Sequence, residues 1–139
     1  MQMTKQVYSC LWFDGQARAA ADFYCSIFKD GKIITETPLV VLFEINHTKF
    51  MGLNGGPVYK PTEGVSFVVD CETQAEIDHY WNKLTAGGGA ESRCGWLKDR
   101  FGFSWQIIPA NIGALLSRPN AMKALMQMKK IDIETLEKA

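Results

Sequence analysis

Groups able to do chemistry are few in this sequence and poorly clustered. The two histidines, His47 and His79, are far apart. His47 follows Asn46 in a stretch with turn character, and His79 falls inside an amphipathic helical pattern. Cys10, Cys25, Cys71 and Cys94 form no Cys-x-x-Cys pair, so neither a zinc knuckle nor a dithiol redox site is expected. They read instead as reduced thiols filling small apolar volumes. Gly55-Gly56-Pro57 lacks the Gly-Lys-Ser/Thr ending of a phosphate loop, and Gly87-Gly88-Gly89 ends a helix rather than following a strand. Ser66 and Ser104 have no His and Asp placed to activate them. Cys10 would need a cationic neighbour to become a nucleophile, and none is legible. Neutral polar groups and tryptophans remain, which suits holding a small molecule better than transforming one.

The elements that position these groups emerge from an internal repeat. A shift of 56 residues places Asp14, Asp22 and Tyr24 on Asp70, Asp78 and Tyr80, and Leu11, Phe13 and Phe28 on Phe67, Val69 and Leu84. Each copy opens with an alternating strand, near 6–13 and 64–70. Each then enters a helix close to an Asp suited to its unpaired N–H groups, over about 16–28 and 73–86. Further strands are expected near 32–36, 39–45 and 49–54, and near 90–94, 96–99 and 103–108. The predicted class is α+β: one domain over 1–139 made of two βαβββ modules, about 5–57 and 62–109. The Gly55…Pro61 stretch is the joint, and a helical tail covers about 110–139.

Charge excludes some functions. Residues 1–69 carry six basic and six acidic groups and residues 70–139 nine of each, so no basic stripe offers itself to nucleic acid. No apolar run approaches the ~20 residues of a membrane span. No secretory h-region follows Met1-Gln2-Met3-Thr4-Lys5, so a cytoplasmic location is expected. The tail residues Leu125, Met126, Met128, Ile131, Ile133 and Leu136 offer apolar surface either to a homodimer partner or to the protein's own sheet.

Leu11-Trp12-Phe13-Asp14-Gly15, Leu53-Asn54-Gly55-Gly56-Pro57, Ser66-Phe67-Val68-Val69 and Trp96-Leu97-Lys98-Asp99…Phe101-Gly102…Ser104-Trp105-Gln106-Ile107 resemble the PhnB-like proteins. That family also carries the name 3-demethylubiquinone-9 3-methyltransferase. It belongs to the vicinal oxygen chelate superfamily, with glyoxalase I, bleomycin-resistance proteins and extradiol dioxygenases. The resemblance covers about 5–110, and Met126…Lys129-Lys130-Ile131-Asp132-Ile133 is similar to the family's tail. It implies that the modules form a curled mixed sheet around one pocket. It also implies that any metal would be held by His, Gln or Glu on the first, fourth, fifth and eighth strands. The matching positions fall near Tyr8, Phe50, Gly64 and Gln106, of which only Gln106 suits a metal. No metal and no cofactor are therefore expected.

Strand alternation assigns the faces. Val7, Leu11 and Phe13, with Phe67, Val69, Trp105 and Ile107, are expected beneath the helices. The expected pocket residues are Tyr8, Cys10, Trp12, Phe50, Asn54, Ser66, Ser104 and Gln106, with Gly52 beside Phe50 and Trp96 as a further flat wall. The expected function is binding of a small, partly aromatic molecule without the superfamily's metal site. The alternatives are an enzyme on a small metabolite, with atypical or lost metal ligands, and a structural dimer with a filled cavity. The methyltransferase of the family's name is not expected, because neither a doubly wound sheet nor a glycine-rich loop after a strand is legible.

Overall fold

The computed structural model describes residues 5–139, which divide into two compact units, the first ending at Lys60 and the second Pro61–Ala139. The first contains β1 (Ser9–Phe13), α1 (Ala17–Ile27), β2 (Lys32–Glu36), β3 (Val40–Ile45) and β4 (Thr48–Asn54). Its sheet has the order β1-β4-β3-β2, with β1 parallel to β4 and the other pairs antiparallel. The second contains β5 (Ser66–Cys71), α2 (Gln74–Thr85), β6 (Ala90–Glu91), β7 (Trp96–Lys98) and β8 (Ser104–Pro109). Its order, β5-β8-β7-β6, repeats the first, with β5 parallel to β8. Three short helices follow: α3 (Ile112–Leu116), α4 (Ala121–Leu125) and α5 (Ile133–Glu137). The architecture is α+β, two βαβββ modules with C-terminal helices.

In the first unit α1 lays Ala17, Ala20, Ala21, Tyr24 and Ile27 on Leu11, Phe13, Val41, Phe43 and Phe50. Its alanines let the helix approach closely: a Cβ on Gly52 would lie 3.1 Å from that of Ala17. Tyr24, Phe43 and Phe50 form a run of stacked rings, with centroids 6.1 and 5.5 Å apart. Val7 is 95% exposed and precedes the strand, so it does not pack under the helix as its parity suggested. At the β3–β4 hairpin Asn46 and His47 both have positive φ, 48° and 62°, and Ile45 pairs with Thr48. This is the two-residue turn whose twist matches that of the strands.

The helix starts differ from expectation. Asp14 and Asp70 do not cap. The first N–H of α1, on Ala17, donates to Asn54 Oδ1 at 2.9 Å. In α2, Thr73 Oγ1 accepts from Glu76 N at 3.2 Å while Glu76 Oε2 accepts from Glu72 N at 3.1 Å, a reciprocal cap. Asn54 reaches α1 only because β4 returns beside β1, a long-range placement no local pattern reports.

The tail packs on its own unit. Leu115, Ala121, Leu125, Ile131 and Leu136 form a buried cluster, against which Cys94, Ile108, Met128 and Ile133 are packed. Cys94 N donates to Met128 O and Gly95 N to Lys129 O, at 2.9 and 2.8 Å. Gln74 fastens the tail to α2: its Nε2 donates to Ile131 O at 3.0 Å, and its Oε1 accepts from Ile133 N at 2.9 Å. Of the tail's large apolar residues, Met122 and Met126 stay exposed.

Cys71 ends β5 and is buried. Burial, with smaller contributions from Glu76 and Asp70, pushes its thiol from an ordinary 9.0 up to about 12. A thiol that ionises more readily in the unfolded chain favours unfolding only at alkaline pH. Its contribution to stability is therefore intact below pH about 9 and is lost as pH rises toward 12. Urea titrations at pH 8 and 10.5 are expected to show a steeper alkaline loss in the wild type than in Cys71→Ala, by up to about 1.4 kcal/mol per pH unit. Equal pH slopes would refute this.

Candidate functional site

Each sheet has a face covered by its helix and an opposite, open face. In the first unit the open face carries Cys10 and Trp12 of β1 and, in register beside them, Met51 and Leu53 of β4. Tyr8 lies just before β1, with Lys49 Nζ 4.3 Å from its ring centroid. Phe50 and Asn54 were expected here and are not. Phe50 is buried under α1, and Asn54 serves as the cap of α1 while its Nδ2 donates to Pro38 O at 3.1 Å. Gly52 goes with them, facing Ala17 and Phe13.

The reason is arithmetic in the repeat. Leu11 corresponds to Phe67, 56 residues on, but their register partners, Gly52 and Trp105, are only 53 apart. The second module is three residues shorter between its first and last strands. An odd difference moves every side chain of that strand to the other face. Gln106 therefore corresponds to Leu53 and not to Phe50.

Trp12 is committed to structure. Its Nε1 donates to Gly56 O at 2.8 Å, and its ring meets Tyr59 edge-on at 4.9 Å. A Cβ on Gly55 would lie 2.2 Å from the indole, so the chain passes this ring closely enough to require glycine. Cys10 is exposed rather than filling an apolar volume, and the desolvation it feels pushes its thiol up, away from a nucleophilic thiolate.

In the second unit the register builds a compact polar surface. Lys98 pairs with Ser104 and Ser104 with Ser66, giving one row across β7, β8 and β5. Trp96 pairs with Gln106 and Gln106 with Val68, giving the next. Register partners share a face. It is the face away from α2, because the alternate residues Leu97, Trp105 and Ile107 are buried and Phe67 packs on Trp105 at 5.0 Å. Gln106 Nε2 donates to Ser66 Oγ at 2.9 Å, tying the two rows. Ser66, Ser104 and Gln106 thus stand together on this face, with Trp96 beside them. Lys98 was missed, although its parity with Trp96 about the buried Leu97 marks it.

Asp99 holds this surface in shape. It is 2% exposed; Oδ1 accepts from Phe101 N and Phe103 N at 2.8 and 3.1 Å, and Oδ2 from Trp105 Nε1 at 2.9 Å. The turn it organises joins the ends of β7 and β8, next to Lys98 and Ser104.

These residues do not suit the superfamily's divalent ion. In neither sheet do the open-face positions supply a set of carboxylates and imidazoles: β1 and β4 offer thiol, indole and thioether groups, and β5 and β8 offer hydroxyl and amide groups with the single carboxylate of Asp70. Among the described residues there is no group of three His, Cys, Asp or Glu that could hold a metal ion. Among them, too, no helix is long and apolar enough to cross a membrane.

Comparison with known proteins agrees with this architecture. No curated protein matches the sequence. Of solved structures, the PhnB protein of Bacillus cereus, which carries the 3-demethylubiquinone-9 3-methyltransferase name, is 28% identical with a TM-score of 0.67. That match covers 75% of this chain and 99% of its own. A Pseudomonas aeruginosa protein is 20% identical at TM-score 0.64, with 76% and 98% covered. The fosfomycin resistance protein FosX of Listeria monocytogenes, solved with Mn(II) and sulfate, shares the fold at 13% identity and TM-score 0.57, with 78% and 91% covered. A family model described as 3-demethylubiquinone-9 3-methyltransferase matches residues 5–108. The chain therefore belongs to that PhnB-like family, within the glyoxalase/bleomycin resistance/dioxygenase fold.

Proposed function

We propose that the protein binds a small, partly aromatic molecule on the open face of its second sheet, without a metal. The observation that carries this is the juxtaposition of Trp96 and Gln106 as register partners, with the Gln106 amide held by Ser66. The indole supplies a flat apolar wall, and the oriented amide supplies directional hydrogen bonding, the usual composition of a small-molecule site. The methyltransferase activity of the family name is not carried over, because both sheets are mixed and four-stranded rather than doubly wound. A cytoplasmic homodimer belongs to the same reading. The four free cysteines suit a reducing compartment, and the exposed Met122 and Met126 are apolar surface a partner would cover. Light scattering at micromolar concentration tests the dimer, and a mass of 15.6 kDa would refute it.

Benzamide, a ring bearing a neutral amide, is the probe for the site. Titrated into the 15N-labelled protein, it is expected to shift the Trp96 indole and Gln106 side-chain resonances, and Gln106→Leu is expected to weaken it about fivefold. Shifts confined to other residues, or none at millimolar concentration, would overturn the reading.

A further inference from the structure

Resting on that binding face, we propose that the row Lys98–Ser104–Ser66 is an oxyanion site, and that the natural ligand is an aromatic or partly apolar carboxylate whose ring lies along Trp96 and Val68. Three observations carry it. Ser104 is 2% exposed, yet its Oγ has no hydrogen-bond partner, the only buried side-chain nitrogen or oxygen in that condition among the described residues. An orphaned buried hydroxyl is destabilising, and its persistence calls for an absent partner. The second observation is the polarity of Ser66. Its Oγ already accepts from Gln106 Nε2, so its own hydrogen remains to be donated. The third is Lys98, which the register sets beside Ser104. Two hydroxyl donors and an ammonium along one row ask for an acceptor carrying negative charge, such as a carboxylate. The carboxylate on the same face of β5, Asp70, stands in a different row, opposite Ile108.

Glu63 gives this site a competitor. Its carboxylate is ion-paired with Lys98, and both side chains are substantially exposed. The hydrogen bond from Lys98 holds the Glu63 carboxyl below its ordinary range. Glu63 thus occupies the Lys98 ammonium as a ligand carboxylate would, and binding exchanges one carboxylate for another. An exposed pair of this kind is weak enough to be exchanged. A neutral ligand would gain nothing from displacing it.

Benzoate and benzamide, which share a ring and differ in charge, form the test, read by NMR shifts and by calorimetry at low and high salt. Benzoate is expected to bind about tenfold tighter than benzamide, with the preference shrinking as salt rises. Lys98→Met is expected to abolish the preference by lowering benzoate affinity to that of benzamide, whereas Glu63→Gln is expected to tighten benzoate about threefold. Ser104→Ala has a paired signature: it removes an orphaned hydroxyl, so the melting temperature rises, while benzoate binding falls about fivefold. A stabilised Ser104→Ala that binds benzoate as well as wild type would overturn the proposal. So would equal affinities for the two probes, or a Glu63→Gln variant that weakens benzoate. If benzamide shifts Trp96 and Gln106 but benzoate gains no preference, the oxyanion row fails and the binding face stands. If neither probe shifts this face, both fail.

Discussion

Asp99→Ala is expected to lower the stability of the protein by about 4 kcal/mol, and Asp99→Asn by about 2 kcal/mol. The buried carboxylate accepts from Phe101 N, Phe103 N and Trp105 Nε1. Alanine takes the acceptor away from all three N–H groups, and a buried donor left without one costs about 1–3 kcal/mol. Asparagine keeps one accepting oxygen for the two backbone groups but turns an NH2 toward the indole N–H, donor against donor. A loss of this size is a large part of a typical domain's total of about 5–15 kcal/mol. Urea unfolding followed by tryptophan fluorescence is the measurement. Both variants within about 0.5 kcal/mol of wild type would refute the role. The turn also joins the strands that carry Lys98 and Ser104, so benzoate binding is expected to fall alongside stability in Asp99→Asn.

Ending the chain after Pro119 is expected to leave the second unit unfolded or aggregated. The deletion removes Ala121, Leu125, Ile131 and Leu136 from a cluster in which each is buried, and uncovers Leu115, Cys94 and Ile108 beneath them. Each large side chain contributes about 1.5–3 kcal/mol by burial. The deletion also takes both backbone partners from Gln74 and the Lys130 ammonium, 2.8 Å away, from Asp78. The Lys130 and Gln74 hydrogen bonds hold the Asp78 carboxyl below its ordinary range. Leu136→Ala serves as the folded counterpart, with an expected loss of about 2–5 kcal/mol. A truncated chain with the wild-type melting temperature and near-ultraviolet spectrum would show that the tail is dispensable.

Much of this molecule was legible in the sequence alone. The two modules, the helices over Ala17–Ile27 and Gln74–Thr85, and the positions of the strands follow from local periodicity. Apolar spacing and turn residues act over a few residues and are written where they act. Leu11, Phe13, Trp105 and Ile107 fell under the helices, and Ser66, Ser104 and Gln106 on the open face, because alternation propagates reliably within one short strand. Only the tertiary structure decided the rest. Phe50 and Asn54 changed faces because the second module is three residues shorter between its first and last strands, and parity carried across a gap depends on an odd or even count. The cap of α1 came from Asn54, 37 residues away, rather than from the neighbouring Asp14, because a backbone N–H takes whichever acceptor the folded sheet delivers to it. The tail's apolar residues read equally as interface or core. Their burial around Ile131 was settled by where Gln74 and Gly95 stand in space, positions that exist only once the second sheet has formed.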